Sequence, residues 1–521
     1  MKTIFQKKTV KLFFGVVLLC GAFFSCNKDP QGMILIAEGF NGGSKASVDG
    51  LSSFWVNDEI VRINGKDYVV NVADGIATVN NVDPADTYRA LYPNTLAPSA
   101  DLRDNPVRVT IPSVYNYRED NGLQALDLPM VAYGNSDDRL LFKHLTAAIT
   151  VLVTNNFGID ITIDSIVVTS SDYQISGDRN IEIGPTIEIG SVTSDVPAEK
   201  RVVVRFASTP LQVNSGVTKA VQVPVLPVGS DNKFSITVAV HNADDADMKY
   251  TFSRTQTTGG TLLRAQLGYA PASFGGKFSV SDTNQVFFAP GNLQYLPSAS
   301  KWHFAKHQYD VAPFDKSYYD ETSTNDIDLF GFATSGYNAN RKPYNKSTKN
   351  SNYNTDTDSN SQTDNDWGWY NSIVNGGNKN HYWYTLTKAE WEYLIGRTEK
   401  VGNAIIKDEN NVNHNGLIIL PDNFENPVPE VVFNPVTNIS YSKNTYTYSQ
   451  WQAMEIAGAI FLPAAGNRNG NNIENSSTSG YYWTATRKDA TYSYALKIIE
   501  TGLTITYSNN FLGYYVRLVH D

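Results

Sequence analysis

Thiols and charge are both scarce. The 521 residues include two cysteines, Cys20 and Cys26, and both sit in or at the end of an N-terminal apolar run. The rest of the chain therefore has no disulfide framework and no thiolate pair for copper or zinc, so the fold must rest on its core. Charged residues are 18% of the chain, and acids outnumber bases by 52 to 42. Residues 1–25 hold four of those bases and no acid, which leaves the remainder at a net −14. An acidic surface repels phosphate backbones and argues against nucleic-acid binding. Past residue 26 no apolar run is long enough to cross a bilayer, and helical periodicity is missing before residue 270. G-x-S-x-G and H-E-x-x-H are absent, and the two S-x-x-K matches, Ser298–Lys301 and Ser440–Lys443, have no K-T-G partner. No catalytic residue is expected.

What is present begins at the N-terminus. The cationic MKTIFQKKTVK precedes the apolar LFFGVVLLCGAFFS, which is short for a membrane span and stops at Ser25-Cys26. The pattern resembles a bacterial lipoprotein signal over residues 1–25. It implies export, acylation of Cys26 with palmitate-type chains, and an outer-membrane anchor at the cell surface. Bulky Leu19 makes Cys20 the wrong candidate.

Segments such as EIVRI, VRVTIP, AAITVLVTN, ITIDSIVVTS and FSITVAVHN alternate with period two between Asn/Asp/Gly/Pro turns. They predict two antiparallel β-sandwiches in tandem, over residues 26–147 and 148–272. From Lys277 the chain becomes rich in Tyr, Asn, Trp and Ser. Two helices are predicted there. LTKAEWEYLI has Thr387 as N-cap, Glu390 to complete a capping box, and Leu386 and Trp391 at the staple positions. SQWQAMEIAG repeats the logic, with Ser449 as N-cap, Gln452 at the third helical position and Gly458 as the stop. Strand patterns GYYWTAT, SYALKII, LTITYSN and YYVRLV close the chain. The expected fold is multidomain, with all-β sandwiches first and an α+β domain over 277–521.

Two family resemblances follow. SKASVDG, FWVNDEIVRI, ALYP, LPMVAYG and LLFKHLTAAITVLV, in that order after Cys26, resemble the fimbrillin family of Bacteroidetes pilus subunits. The resemblance implies two transthyretin-like sandwiches, a lipidated precursor, and partner subunits joined by donor-strand β-augmentation. Members of that family are commonly cut after an early Arg; here Lys45 occupies the loop and Arg62 lies inside a predicted strand. VFFAPGNLQY, DLFGFATSGYN, DWGWYNSI, LTKAEWEYLI, AGAIFLPAAGNRNG and GYYWTAT resemble a C-type-lectin-like module, also similar to the formylglycine-generating-enzyme and major paralogous domains. The copper-binding cysteine pair of the enzyme relatives is missing. The order of parts resembles a pilus-tip adhesin, with a stationary glycan-binding lipoprotein as the alternative and a glycan-active enzyme as a more distant one.

Tyr and Trp offer rigid contact area at low entropic cost, and Asn adapts its hydrogen bonds around them. That makes Tyr337, Asn338, Tyr344, Trp367, Trp369, Tyr481, Tyr482, Tyr492 and Tyr494 candidates for binding a glycan or protein, each weighed against core packing. Trp391, Trp451 and Trp483 read as core. In GAIFLPAAGNRNG, Ala459–Leu462 predicts a buried strand, and Asn467 and Arg468 begin a loop. Arg468 is expected to pair with loop carbonyls or an acid, with a ligand contact as the other possibility. His303 and His307 are expected to pack rather than to bind metal. Asp326 and Asp328, Asp356 and Asp358, and Asp364 and Asp366 are paired oxygen donors, but no EF-hand results because Ser361 stands where Gly is needed. Calcium is left open.

Overall fold

The computed structural model describes residues 32–38, 55–74, 76–120, 123–125, 127–135, 139–191, 199–338, 341–353, 361–435 and 440–521. Cys26, Lys45, Asp356 and Asp358 lie outside these residues. The chain is mostly β, and three α-helices occur among the described residues. None of its helices there is long and apolar enough to cross a membrane.

Period-two alternation builds the first body. Met33, Leu35 and Ala37 point inward while Ile36 stays out. Their strand, Met33–Ala37, lies inside an eight-stranded sheet, parallel to Arg139–His144 and antiparallel to Ile76–Val79. Trp55 joins the core on this sheet, edge-on to Tyr92 at 5.0 Å and to Phe142 at 5.1 Å.

The second sandwich opposes Thr218–Val225, Ala147–Asn156 and Leu267–Gly275 to a larger sheet containing Asp245–Thr255, Phe234–Asn242, Ile161–Ser170 and Arg201–Arg205. The boundary drawn at residue 147 does not separate the two bodies cleanly. Val107–Ile111 pairs with Gly177–Ile183, and Val114–Asn116 pairs in parallel with Arg201–Arg205. Two strands from the first stretch thus complete sheets of the second, a pairing that local alternation cannot reveal.

The C-terminal body is closed by its own ends, since Leu518–His520 pairs with both Gln285–Phe288 and Tyr384–Thr385. Helix α1 is Trp367–Tyr370, α2 is Lys388–Gly396 and α3 is Tyr448–Ile456. Helix α2 carries the predicted capping box between Thr387 and Glu390. Helix α3 starts two residues earlier than its motif suggested, because Thr447 and Gln450, not Ser449 and Gln452, form the box. The staple explains the choice. With Thr447 as cap, Tyr446 and Trp451 occupy the staple positions and both are fully buried, as Leu386 and Trp391 are at α2.

The second sandwich and the C-terminal body share one apolar core, continuous from Val151 and Val240 through Phe274 and Phe288 to Trp383 and Trp391. Asn242 Nδ2 donates to the Asn375 carbonyl at 2.8 Å across the seam, and the Gly377 amide donates to Asp244 at 2.7 Å. Helix α3 ends at Gly458, whose φ of 95° needs a residue without Cβ. A Cβ there would stand 2.7 Å from the Gly275 carbonyl carbon and from the Gly276 nitrogen, both backbone. Gly458→Ala should therefore lower stability by about 2 kcal/mol or more, read as a fall in the denaturant midpoint at unchanged slope.

Candidate functional site

GAIFLPAAGNRNG resolves into a strand, a corner and a hairpin. Ile460–Pro463 pairs with Asn413–Ile419, and Asn467–Asn469 pairs with Asn472–Glu474. The Arg468 side chain turns inward and is fully buried. It donates to three carbonyls, those of Asn345 at 3.1 Å and of Leu329 and Gly470 at 3.3 Å, and it lies 5.0 Å over the Tyr319 ring. These are the loop carbonyls expected from its sequence setting. Asn467, also buried, accepts from Asn475 Nδ2 at 3.0 Å. The stretch is a clamp. Arg468 and the Tyr353 hydroxyl, which donates to Ser347 O at 2.7 Å, tie the polar 341–353 loop to the core.

The other candidates divide by burial. Trp367, read as a loop ring, is 1% exposed at the first position of α1. Tyr482 is fully buried with its hydroxyl donating to Pro463 O at 3.2 Å, and Tyr481 is stacked on Tyr514 at 4.9 Å. These three rings serve the core, as do Trp391, Trp451 and Trp483. Gly368 is buried too, and the last two positions of α1 are half-buried. Half-buried Trp369 meets His381 at 5.1 Å, and Tyr337, 53% exposed, meets Tyr370 edge-on at 5.3 Å beside half-buried Asn338. Tyr344 stands apart, its hydroxyl donating to Glu321 at 3.3 Å. Tyr492 and Tyr494 form a further group with Tyr507, at 5.6 and 6.4 Å. Sequence reading missed Tyr370, His381 and Tyr507. Tyr507 was findable from its period-two place in LTITYSN.

The acids are not gathered into a cage. Asp326 Oδ1 meets His303 Nε2 at 2.8 Å, and Asp328 accepts from the Ala312 amide at 2.6 Å. Burial pushes Asp328 up to about 7. Asp366 caps α1 and accepts from the Thr385 amide and hydroxyl at 2.8 and 2.9 Å; burial pushes it up to about 6 against those bonds. Among the described residues no three His, Cys, Asp or Glu side chains group as metal ligands. His307 stacks on Tyr309 at 5.1 Å.

A concavity lies elsewhere, in the second sandwich. Asp245–Thr255 and Leu267–Gly275 are the end strands of its two sheets. Phe252 and Phe274 meet between them at 5.9 Å with their rings tilted by 52°, and Arg254 and Gly268 line the space beside. The wedge between them is a cavity of about 320 Å³, floored by Ile149, Phe234, Ile236 and Leu262. It is an apolar slot between two sheet edges, a geometry that admits an extended strand.

No protein-family profile matches the chain, and no curated protein matches it. Among solved structures the chain is similar to a "putative cell adhesion protein" from Bacteroides ovatus, at 12% identity and a TM-score of 0.29, over 47% of this chain and 92% of that one. It is also similar to a fimbrilin from Porphyromonas gingivalis, at 12% identity and a TM-score of 0.19, over 40% and 71%. A fimbrial protein from Bacteroides ovatus aligns over 94% and 99%, at 10% identity and a TM-score of 0.20. Scores this low carry no functional argument, which rests on the geometry above.

Two outcomes test the clamp and the His–Asp pair. Arg468→Met removes a donor from three carbonyls, of which Asn345 O keeps the Tyr353 hydroxyl at 3.2 Å, and should cost about 3 kcal/mol, with protease cleavage appearing first within 341–353. For His303, burial pulls the pKa down, but the hydrogen bond and charge of Asp326 outweigh it, so the net shift is upward. The pair's contribution is full below the unfolded value, about 6.5, and is lost as pH rises through the folded one. An NMR titration should place His303 above about 6.5, and Asp326→Asn should bring it down.

Proposed function

We propose that the protein is a cell-surface fimbrial subunit of adhesin type, built to accept a strand from a neighbouring subunit and to present its C-terminal body outward. The observation that carries this reading is the apolar wedge between the two end strands of the second sandwich. A strand laid there would pair with backbone edges and place alternate apolar side chains on Ile149, Phe234 and Ile236. The occupant is a segment of another subunit, because only an extended chain meets both edges at once. The resemblance of the first 272 residues to fimbrillins supports the same partner.

The C-terminal body supports a lectin-like role at a pilus tip. Its outward rings, Tyr337, Trp369, Tyr370, Tyr492, Tyr494 and Tyr507, are of the type that receives glycans or proteins. Its bulk after the sandwiches suits the end of a fibre. Acylated Cys26 would hold the precursor at the outer membrane before assembly.

A photoreactive residue at Ala270, on the wedge, tests the reading in cells. The expected product is an adduct to a second sandwich subunit in the sheared surface-fibre fraction, with none from a control probe at Val432, which is 82% exposed. Full-length protein confined to the membrane fraction without such an adduct would leave the stationary lipoprotein in its place.

A further inference from the structure

The last sheet of the C-terminal body joins Ser479–Arg487, Tyr492–Ile499 and the edge strand Gly502–Asn509. Tyr492 and Tyr494 are two residues apart on one face, and Tyr507 is the register partner of Tyr494. The three rings stand nearly perpendicular in pairs, at 74° and 85°. None of their hydroxyls has a hydrogen-bond partner among the described residues. Two ammonium groups lie over the same rings. Lys488 Nζ is 3.1 Å from the centre of Tyr507 and 5.6 Å from that of Tyr492, and Lys388 Nζ is 5.4 Å from Tyr494. The two lysines are brought together because Thr486 Oγ1 accepts from the Lys388 amide at 2.9 Å, tying the start of α2 to the end of the Ser479–Arg487 strand.

We propose that this face is a binding site for an acidic polysaccharide, a chain of carboxylated pyranose units. The proposal deepens the reading of the C-terminal body as a ligand-presenting module and rests on it. Three features select the ligand. The ring faces are electron-rich and receive the C–H face of a pyranose as they now receive an ammonium. The free hydroxyls and ammonium groups match a ligand dense in oxygen acceptors. The charge is the most selective feature. On a chain of net charge −10, Lys488 has no carboxylate at ion-pair distance among the described residues. Neighbouring Asp489 instead turns its carboxylate to the amides of Thr491 and Tyr492, at 2.8 and 3.0 Å. Lys388 is shared with Glu392 at 2.5 Å, so Lys488 is the cation left to meet a ligand carboxylate. A neutral sugar would use the rings and leave Lys488 without a role. A nucleic acid would meet the repulsion of the whole chain.

The test is binding of the full chain to an oligogalacturonate, with its fully methyl-esterified form and a poly-glutamate peptide as comparison probes. The oligogalacturonate should bind, and binding should weaken with salt. Lys488→Gln and Tyr507→Ala should each weaken it about tenfold or more, while Tyr507→Phe loses less. Both sites are solvent-exposed on an edge, and unchanged thermal unfolding of the variants confirms that they fold. Equal binding of the ester, or of poly-glutamate, would overturn the acidic-sugar assignment. Wild-type affinity in both Lys488→Gln and Tyr507→Ala would overturn the site; loss in Tyr337→Ala alone would then keep the C-terminal body as a ligand module at its other aromatic group. Binding of no probe by any form, together with undiminished adhesion of cells lacking the whole protein, would remove the module reading as well.

Discussion

Backbone meets backbone where the second sandwich joins the C-terminal body, and most of the molecule depends on that close approach. Gly458 passes the Gly275–Gly276 linker with no room for a Cβ. On the opposite side of the seam Gly158 lies so near Phe288 and Trp383 that a Cβ would sit 2.8 Å from each. His520 completes the contact, its Nε2 at 3.0 Å from the Gly158 carbonyl. Because the chains come this close, Phe274, Phe278 and Phe288 belong to one core rather than two. Two bodies sharing a core lose the freedom to hinge that a polar linker would allow.

With that frame fixed, the loops are free to be polar. Residues 341–353 carry few apolar side chains, yet they are fastened from beneath by Arg468 and Tyr353. A buried arginine donating to several carbonyls is suited to this work. Its fan of N–H groups collects acceptors from Leu329, Asn345 and Gly470 that no regular ladder reaches. The aromatic surface above is then displayed by a scaffold whose own hydrogen bonds are made elsewhere.

Much of this was legible in the residues. Alternation marked the strands, and T-x-x-E before an apolar run marked α2. At α3 two overlapping boxes competed, and the staple decided between them, a contact that depends on Tyr446 leaving a strand at the right point. Burial of single aromatics was less legible. Trp367 and Trp369 are two residues apart in a helix of four, so one is fully buried and the other only partly. In Tyr481-Tyr482 both neighbours are covered, because Tyr514 and Tyr515, from isolated bridges ahead of the last strand, pack on them. The sandwich boundary failed for a similar reason, since long-range pairing moved two strands across it. The wedge could not be read at all, as an unfilled space between edges leaves no mark in a local pattern.

The return of Leu518–His520 to lie between Gln285–Phe288 and Tyr384–Thr385 has a bearing on biogenesis. A central strand drawn from more than 130 residues downstream of both its neighbours in space must arrive before that sheet can exist. During synthesis the C-terminal body therefore stays open, and it closes only when the segment around residue 519 has been made.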